Sequence, residues 1–180
     1  MPYYNNLETI KISSTRLIDS ITEIIIPMAG LAMGEQNQTL KTFVGSCIAI
    51  CIYDDIRKIA GMAHVMLPKN ITNKTTKGTK LEGKFADEGI NIILDKLQTL
   101  SPNSKLKAKI AGGAKIFSHE NDSNTLNIGG KNIEGIHAIL KEKNIPLISE
   151  LVGAKKGRWV TFSCNDQSLH VKNNDGEKII

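Results

Sequence analysis

From Val44 to Pro68 the chain reads VGSCIAICIYDDIRKIAGMAHVMLP, two apolar runs on either side of a short polar stretch. Val44 to Tyr53 carries no charge and is almost wholly apolar or small, so it predicts a central strand buried on both faces. Ile59 to Leu67 predicts a second strand of the same kind, with Asp54-Asp55-Ile56-Arg57 as the turn between them. With those residues as the loop, Tyr53 pairs with Lys58 and Cys47 falls opposite His64, on one face of the hairpin. Ala49 and Cys51 share the Cys47 face, and Ile48, Ile50 and Ile52 take the other. The small side chains are expected to leave room above the thiol. A slip of one residue would put thiol and imidazole on opposite faces, so the pairing depends on the register.

The remaining pattern predicts a single domain. Residues 1–21 are polar and mixed and read as an N-terminal extension. Thr22 to Met33 predicts a strand, residues 34–37 a turn, and Thr39 to Val44 the approach to the hairpin. Lys69 to Gly83 lacks hydrophobic period and predicts an exposed, mobile loop; five lysines lie between Lys69 and Lys84. A helix is expected over Phe85–Leu100, with Ile90, Ile93, Leu94, Leu97 and Leu100 inward. Leu106 to Ala111 predicts a strand ending at Gly112-Gly113, and His119 to Asn127 a polar loop. A second helix follows over Asn132–Lys143, its inner stripe Ile133, Ile136, His137 and Leu140. Residues 145–152, 158–162 and 168–171 predict closing strands, and 173–180 a C-terminal tail beyond a domain spanning 22–172. Strands first, then alternating helices and strands, are compatible with a mixed α/β class but do not by themselves single it out.

Composition narrows the function classes. A net charge of +5 and a pI near 9.1 favour acidic partners, but an aromatic content of 4% leaves little for base stacking. Three cysteines are odd in number and form no disulfide framework, as suits a reducing compartment. The apolar run from Ile24 to Met33 is broken by Pro27 and Gly30, too short to span a bilayer and poorly flanked for a signal peptide. A cytoplasmic protein without membrane insertion is expected.

The strongest candidate chemistry is Cys47, which follows Gly45-Ser46 at a strand entrance where backbone amides can face an oxyanion. A free cysteine is most often a small buried hydrophobe, and a lone histidine in an apolar strand most often a satisfied core residue. Their pairing raises both, because His64 can take the thiol proton and return it to a leaving amine. Cys47, Cys51 and His64 as a metal site would need a fourth ligand from Cys164 or His119, and no motif recommends either. Gly112-Gly113-Ala114 lacks a phosphate-binding fingerprint and predicts a tight turn or close backbone approach. His137 and Trp159 are expected to pack, and Lys155-Lys156-Gly157-Arg158 to form a solvated basic turn, with docking as its functional alternative.

GSCIAICIYD followed by GMAHVMLP resembles the CheD family of chemoreceptor glutamine deamidases. Agreement continues in order through Lys84-Phe85-Ala86-Asp87, Lys109 to Ala114 with Phe117, Ile128-Gly129 with Asn132, and the Gly157-Arg158 turn. The resemblance covers about Thr22 to Lys172. It departs at Gly153-Ala154, where the family has a double glycine, at two lysines inserted before Gly157, and in the first twenty residues.

The resemblance implies a single-domain layered sandwich with two packed β-sheets and helices on one side. It implies Cys47 as nucleophile, His64 as general base, and a threonine, Thr42 or the nearby Thr39, that orients the histidine. The reaction implied is deamidation of receptor glutamines to glutamate through a thioester, with the backbone at Gly45 and Ser46 near the oxyanion. No metal or organic cofactor is required. Implied partners are methyl-accepting chemotaxis receptors as substrate and a CheC-type CheY-phosphate phosphatase. Two rival classes remain: a non-catalytic docking module, and a nucleic-acid binder using the lysine loop. An abnormally reactive thiol would favour catalysis over docking, and salt-sensitive binding would favour nucleic acid.

Overall fold

The computed structural model describes residues 20–72, 74–115 and 127–180. The expected N-terminal extension up to Asp19, Phe117 and His119 lie outside them. The described elements are β1 (Thr22–Ile25), β2 (Leu31–Gly34), β3 (Gln38–Val44), β4 (Ile48–Asp54), β5 (Ile59–Val65), α1 (Ala86–Leu100), β6 (Lys107–Gly112), α2 (Ile128–Glu142), β7 (Leu147–Val152), β8 (Arg158–Ser163), β9 (Leu169–Asn173) and β10 (Gly176–Ile179). One sheet has the order β1-β3-β8-β9-β10 and the other β2-β5-β4-β6-β7.

β4 and β5 sit inside the second sheet, and alternation along β4 assigns its two faces. Ile48, Ile50 and Ile52 pack against Ile90, Ile93 and Leu97 of α1 and Ile136 and Leu140 of α2. Ala49, Cys51 and Tyr53 face the other sheet, against Leu40, Val160 and Phe162. The result is three layers: sheet, sheet, helices. This is the layered sandwich expected, with both helices on one side.

Two stretches that read as single strands are each divided between the sheets. Thr22 to Met33 becomes β1 in the first sheet and β2 in the second, turning at Pro27 and at Ala29, whose φ is 62°. Val44 to Tyr53 breaks at Gly45-Ser46-Cys47, where the chain leaves β3 in one sheet and enters β4 in the other. In the second stretch Val44 and β4 are both apolar and buried, so hydrophobicity alone does not mark that crossing. Residues 173–180, expected as a tail, instead turn back as β10 against β9, and Leu169 and Ile180 exchange backbone hydrogen bonds.

The β4–β5 register also differs from the expected one. Asp54 pairs with Ile59, so the loop is Asp55 to Lys58 rather than Asp54 to Arg57. Asp54 is buried; its Oδ1 accepts from the amides of Ile56 (2.8 Å) and Arg57 (3.1 Å), and Ser101 Oγ bonds its Oδ2. Lys58 takes the left-handed conformation, φ 58°, to close the loop. Ala49 therefore stands opposite His64, and Cys47 lies one step beyond the ladder. The shift is two residues along the pair, so faces are preserved and Cys47 remains on the His64 side.

Ile50 is fully buried in the helix-facing layer, so Ile50→Ala is expected to cost about 2–5 kcal/mol in urea unfolding. A loss well under about 1 kcal/mol would show that this face is not a packed core.

Candidate active site

Two sheets meet at His64. Thr42 lies on β3, where Leu40, Thr42 and Val44 point inward and Phe43 outward. Its Oγ1 stands 2.8 Å from His64 Nδ1 on β5 and 2.9 Å from the carbonyl oxygen of Ile26. A carbonyl only accepts, so the single hydroxyl proton of Thr42 goes to Ile26. The hydroxyl must then accept from His64, which places the imidazole proton on Nδ1. Nε2 is left with a bare lone pair, and it is buried without a hydrogen-bond partner. The backbone holds the same residue, since His64 N–H donates to Gly30 O at 2.9 Å. Burial lowers the His64 pKa below its ordinary value, which favours the neutral ring.

Cys47 closes the bend between the sheets and is half-buried. Its position is diagonal to His64 rather than opposite, a separation at which Cβ atoms across a ladder lie roughly 7–8 Å apart. Burial raises the thiol pKa. A raised thiol and a lowered imidazole both disfavour a standing thiolate–imidazolium pair. Proton transfer would accompany attack rather than precede it.

The carbonyls of the bend are all engaged. Ala114 N–H donates to Gly45 O (2.7 Å), Asn132 Nδ2 to Ser46 O (3.3 Å), and Gly113 N–H to Cys47 O (2.8 Å). Among the described residues the amides of Ser46 and Cys47 donate to no other group, which suits them to face developing negative charge. The Gly112-Gly113-Ala114 turn is thus the seat on which the bend rests. Gly112 has φ 125°, and a Cβ there would come within 2.3 Å of Cys47 O.

Of the two threonines, Thr42 reaches His64; Thr39 pairs with Glu23 and Ser163 in the first sheet. The space expected above the thiol's face is filled: Ala49 and Cys51 are fully buried between the sheets. Cys47 is therefore not reached over β4. Burial, with Cys164 nearby, pushes Cys51 well above the usual thiol range. No group of three or more metal-ligating side chains exists among the described residues, and His119 lies outside them.

Other residues are placed differently from their sequence reading. His137 is partly exposed, its Nε2 2.7 Å from Glu150 Oε2. Trp159 is 43% exposed, edge-on to Phe43. Arg158 is buried and donates to Leu151 O (3.1 Å) and Gly153 O, so only the lysines of its turn are solvated. Asn132, which the hydrophobic pattern gave no reason to place at the site, is fully buried beside the bend.

The CheD chemotactic sensory transduction family matches residues 66–173. The chain is similar to the chemoreceptor glutamine deamidase CheD of Halalkalibacterium halodurans, 35% identical over 86% of this chain and 96% of that one. It is also similar to the probable chemoreceptor glutamine deamidases CheD of Clostridium acetobutylicum (35% identical, 86% of this chain, 92% of that one) and Clostridium novyi (38%, 83% and 92%). The chain belongs to the CheD family.

With thiol and imidazole both neutral at rest, the rate of Cys47 alkylation by iodoacetamide is expected to climb through the alkaline range, past the ordinary thiol value. A plateau already reached at neutral pH would reveal a standing ion pair and contradict this.

Proposed function

We propose that this member of the CheD family deamidates specific glutamine side chains of methyl-accepting chemotaxis receptors to glutamate, with Cys47 as nucleophile. The activity for which its relatives are named supports the reaction, and one observation carries the mechanism: Thr42 holds His64 with Nε2 bare and unpartnered.

In the first half-reaction His64 Nε2 takes the thiol proton as sulfur bonds to the carboxamide carbon. The carbonyl oxygen becomes an oxyanion facing the amides of Ser46 and Cys47, which donate to no other described group. The C–N bond then breaks, and the proton on His64 leaves with the amine as ammonia. In the second half His64 deprotonates a water, which adds to the thioester. The C–S bond breaks, the thiol recovers its proton from His64, and glutamate is released. No step requires a metal or organic cofactor.

The exposed lysines at 69, 74, 77 and 80 follow the exit of β5 and suit an acidic partner surface. A CheC-type CheY-phosphate phosphatase as regulatory partner, a contribution to chemotactic adaptation and a cytoplasmic location belong to the same reading. No described helix is long and apolar enough to cross a membrane.

The test combines purified protein with a glutamine-containing receptor cytoplasmic fragment, following ammonia release and the amide-to-acid mass change by peptide mass spectrometry. Cys47→Ala is expected to abolish conversion, and His64→Ala to lower it about 10²–10⁴-fold. Thr42→Val, which keeps the shape but not the hydroxyl, is expected to lower it at least about tenfold. Binding of the fragment without conversion by the wild type would put the docking reading in its place.

A further inference from the structure

We infer that Asn132 is a positioning residue for this reaction: by holding the Ser46 carbonyl, its carboxamide aims the Cys47 amide at the oxyanion. The inference rests on the deamidase reading above.

The side chain is fully buried, and its Nδ2 donates both to Ser46 O at 3.3 Å and to Met66 O at 3.0 Å. Both partners are carbonyl oxygens, so only the NH₂ end can face them, and the orientation of the amide is fixed by chemistry. The carbonyl of Ser46 and the N–H of Cys47 belong to one planar trans peptide and point in opposite directions. Fixing the first toward α2 fixes the second away from it. The same relation makes Ala114, through Gly45 O, the residue that sets the Ser46 amide. Without these holds, a Gly-Ser bend outside any strand is free to rotate its peptide planes.

The helix is shaped to bring this side chain in. Gly129, Asn132 and Gly135 recur at intervals of three and so share one helix face. A Cβ at Gly129 would lie 2.6 Å from Gly113 O, and one at Gly135 2.6 Å from Pro68 Cβ. Glycines on either side of Asn132 thus let α2 approach the seat of the nucleophile and the chain just beyond the base. Met66 follows His64 by two residues, so one carboxamide ties the exit of the base strand to the entry of the nucleophile. Its Oδ1 is buried without a partner, an arrangement that costs stability and is kept where geometry matters more.

The test uses Asn132→Ala and Asn132→Ser in the full chain, with kcat and KM measured on the receptor fragment and iodoacetamide alkylation of Cys47 measured separately. Alkylation forms no oxyanion, so it reports thiol and imidazole without the amides. The expected result is a fall in kcat of about 10²-fold, the cost of a lost oxyanion donor, with KM and the alkylation rate unchanged. Wild-type kcat in either folded variant would overturn the inference. So would a parallel fall of kcat and alkylation, or loss of folding in both variants, since each makes Asn132 merely structural. If the wild type itself releases no ammonia, the deamidase reading fails and this inference falls with it.

Discussion

The hydrogen bond between Thr42 and His64 crosses from one sheet to the other, and the chemistry of the site depends on it. Because Thr42 spends its only proton on Ile26 O, the imidazole has one tautomer available to it. The tautomer of the proposed base is therefore set by a contact between two layers of the sandwich. Breaking that one contact would leave the tautomer of a neutral histidine unset.

The proposed nucleophile is placed by the same crossing. Strands β3 and β4 belong to different sheets, so the three residues joining them form a bend at the sandwich end, and Cys47 closes it. A bend outside a ladder has spare amides, and that is what an oxyanion site needs. It also lacks a ladder to hold it. Gly112-Gly113-Ala114 and Asn132 supply the missing hydrogen bonds from the next strand and helix, and glycines permit the close approach. Rigid elements thus hold a segment that is itself irregular.

Much of this was legible in the sequence, for reasons particular residues make plain. Alternation along β4 separated Ile48, Ile50 and Ile52 from Ala49 and Cys51, and the two layers follow that division. The expected Cys47–His64 pairing was shifted by two residues, yet the period of a strand is two, so both stayed on one face. Less visible was the sheet change at Gly45-Ser46-Cys47, because an apolar run looks alike whether it fills one sheet or two. Residue type places Trp159 inside and helical spacing places His137 on the inner stripe, whereas among the described residues Trp159 is 43% exposed and His137 pairs with Glu150. Asn132 acts through backbone carbonyls distant in sequence, and such partners leave no local pattern.

The most direct measurement is the protonation state of His64 in the free enzyme, read from nitrogen NMR of isotope-labelled imidazole. At neutral pH the expected result is a neutral ring with its proton on Nδ1 and Nε2 bare, and loss of that single tautomer in Thr42→Val. A proton on Nε2, or an imidazolium already present at neutral pH, would contradict a base that Thr42 sets and Cys47 awaits.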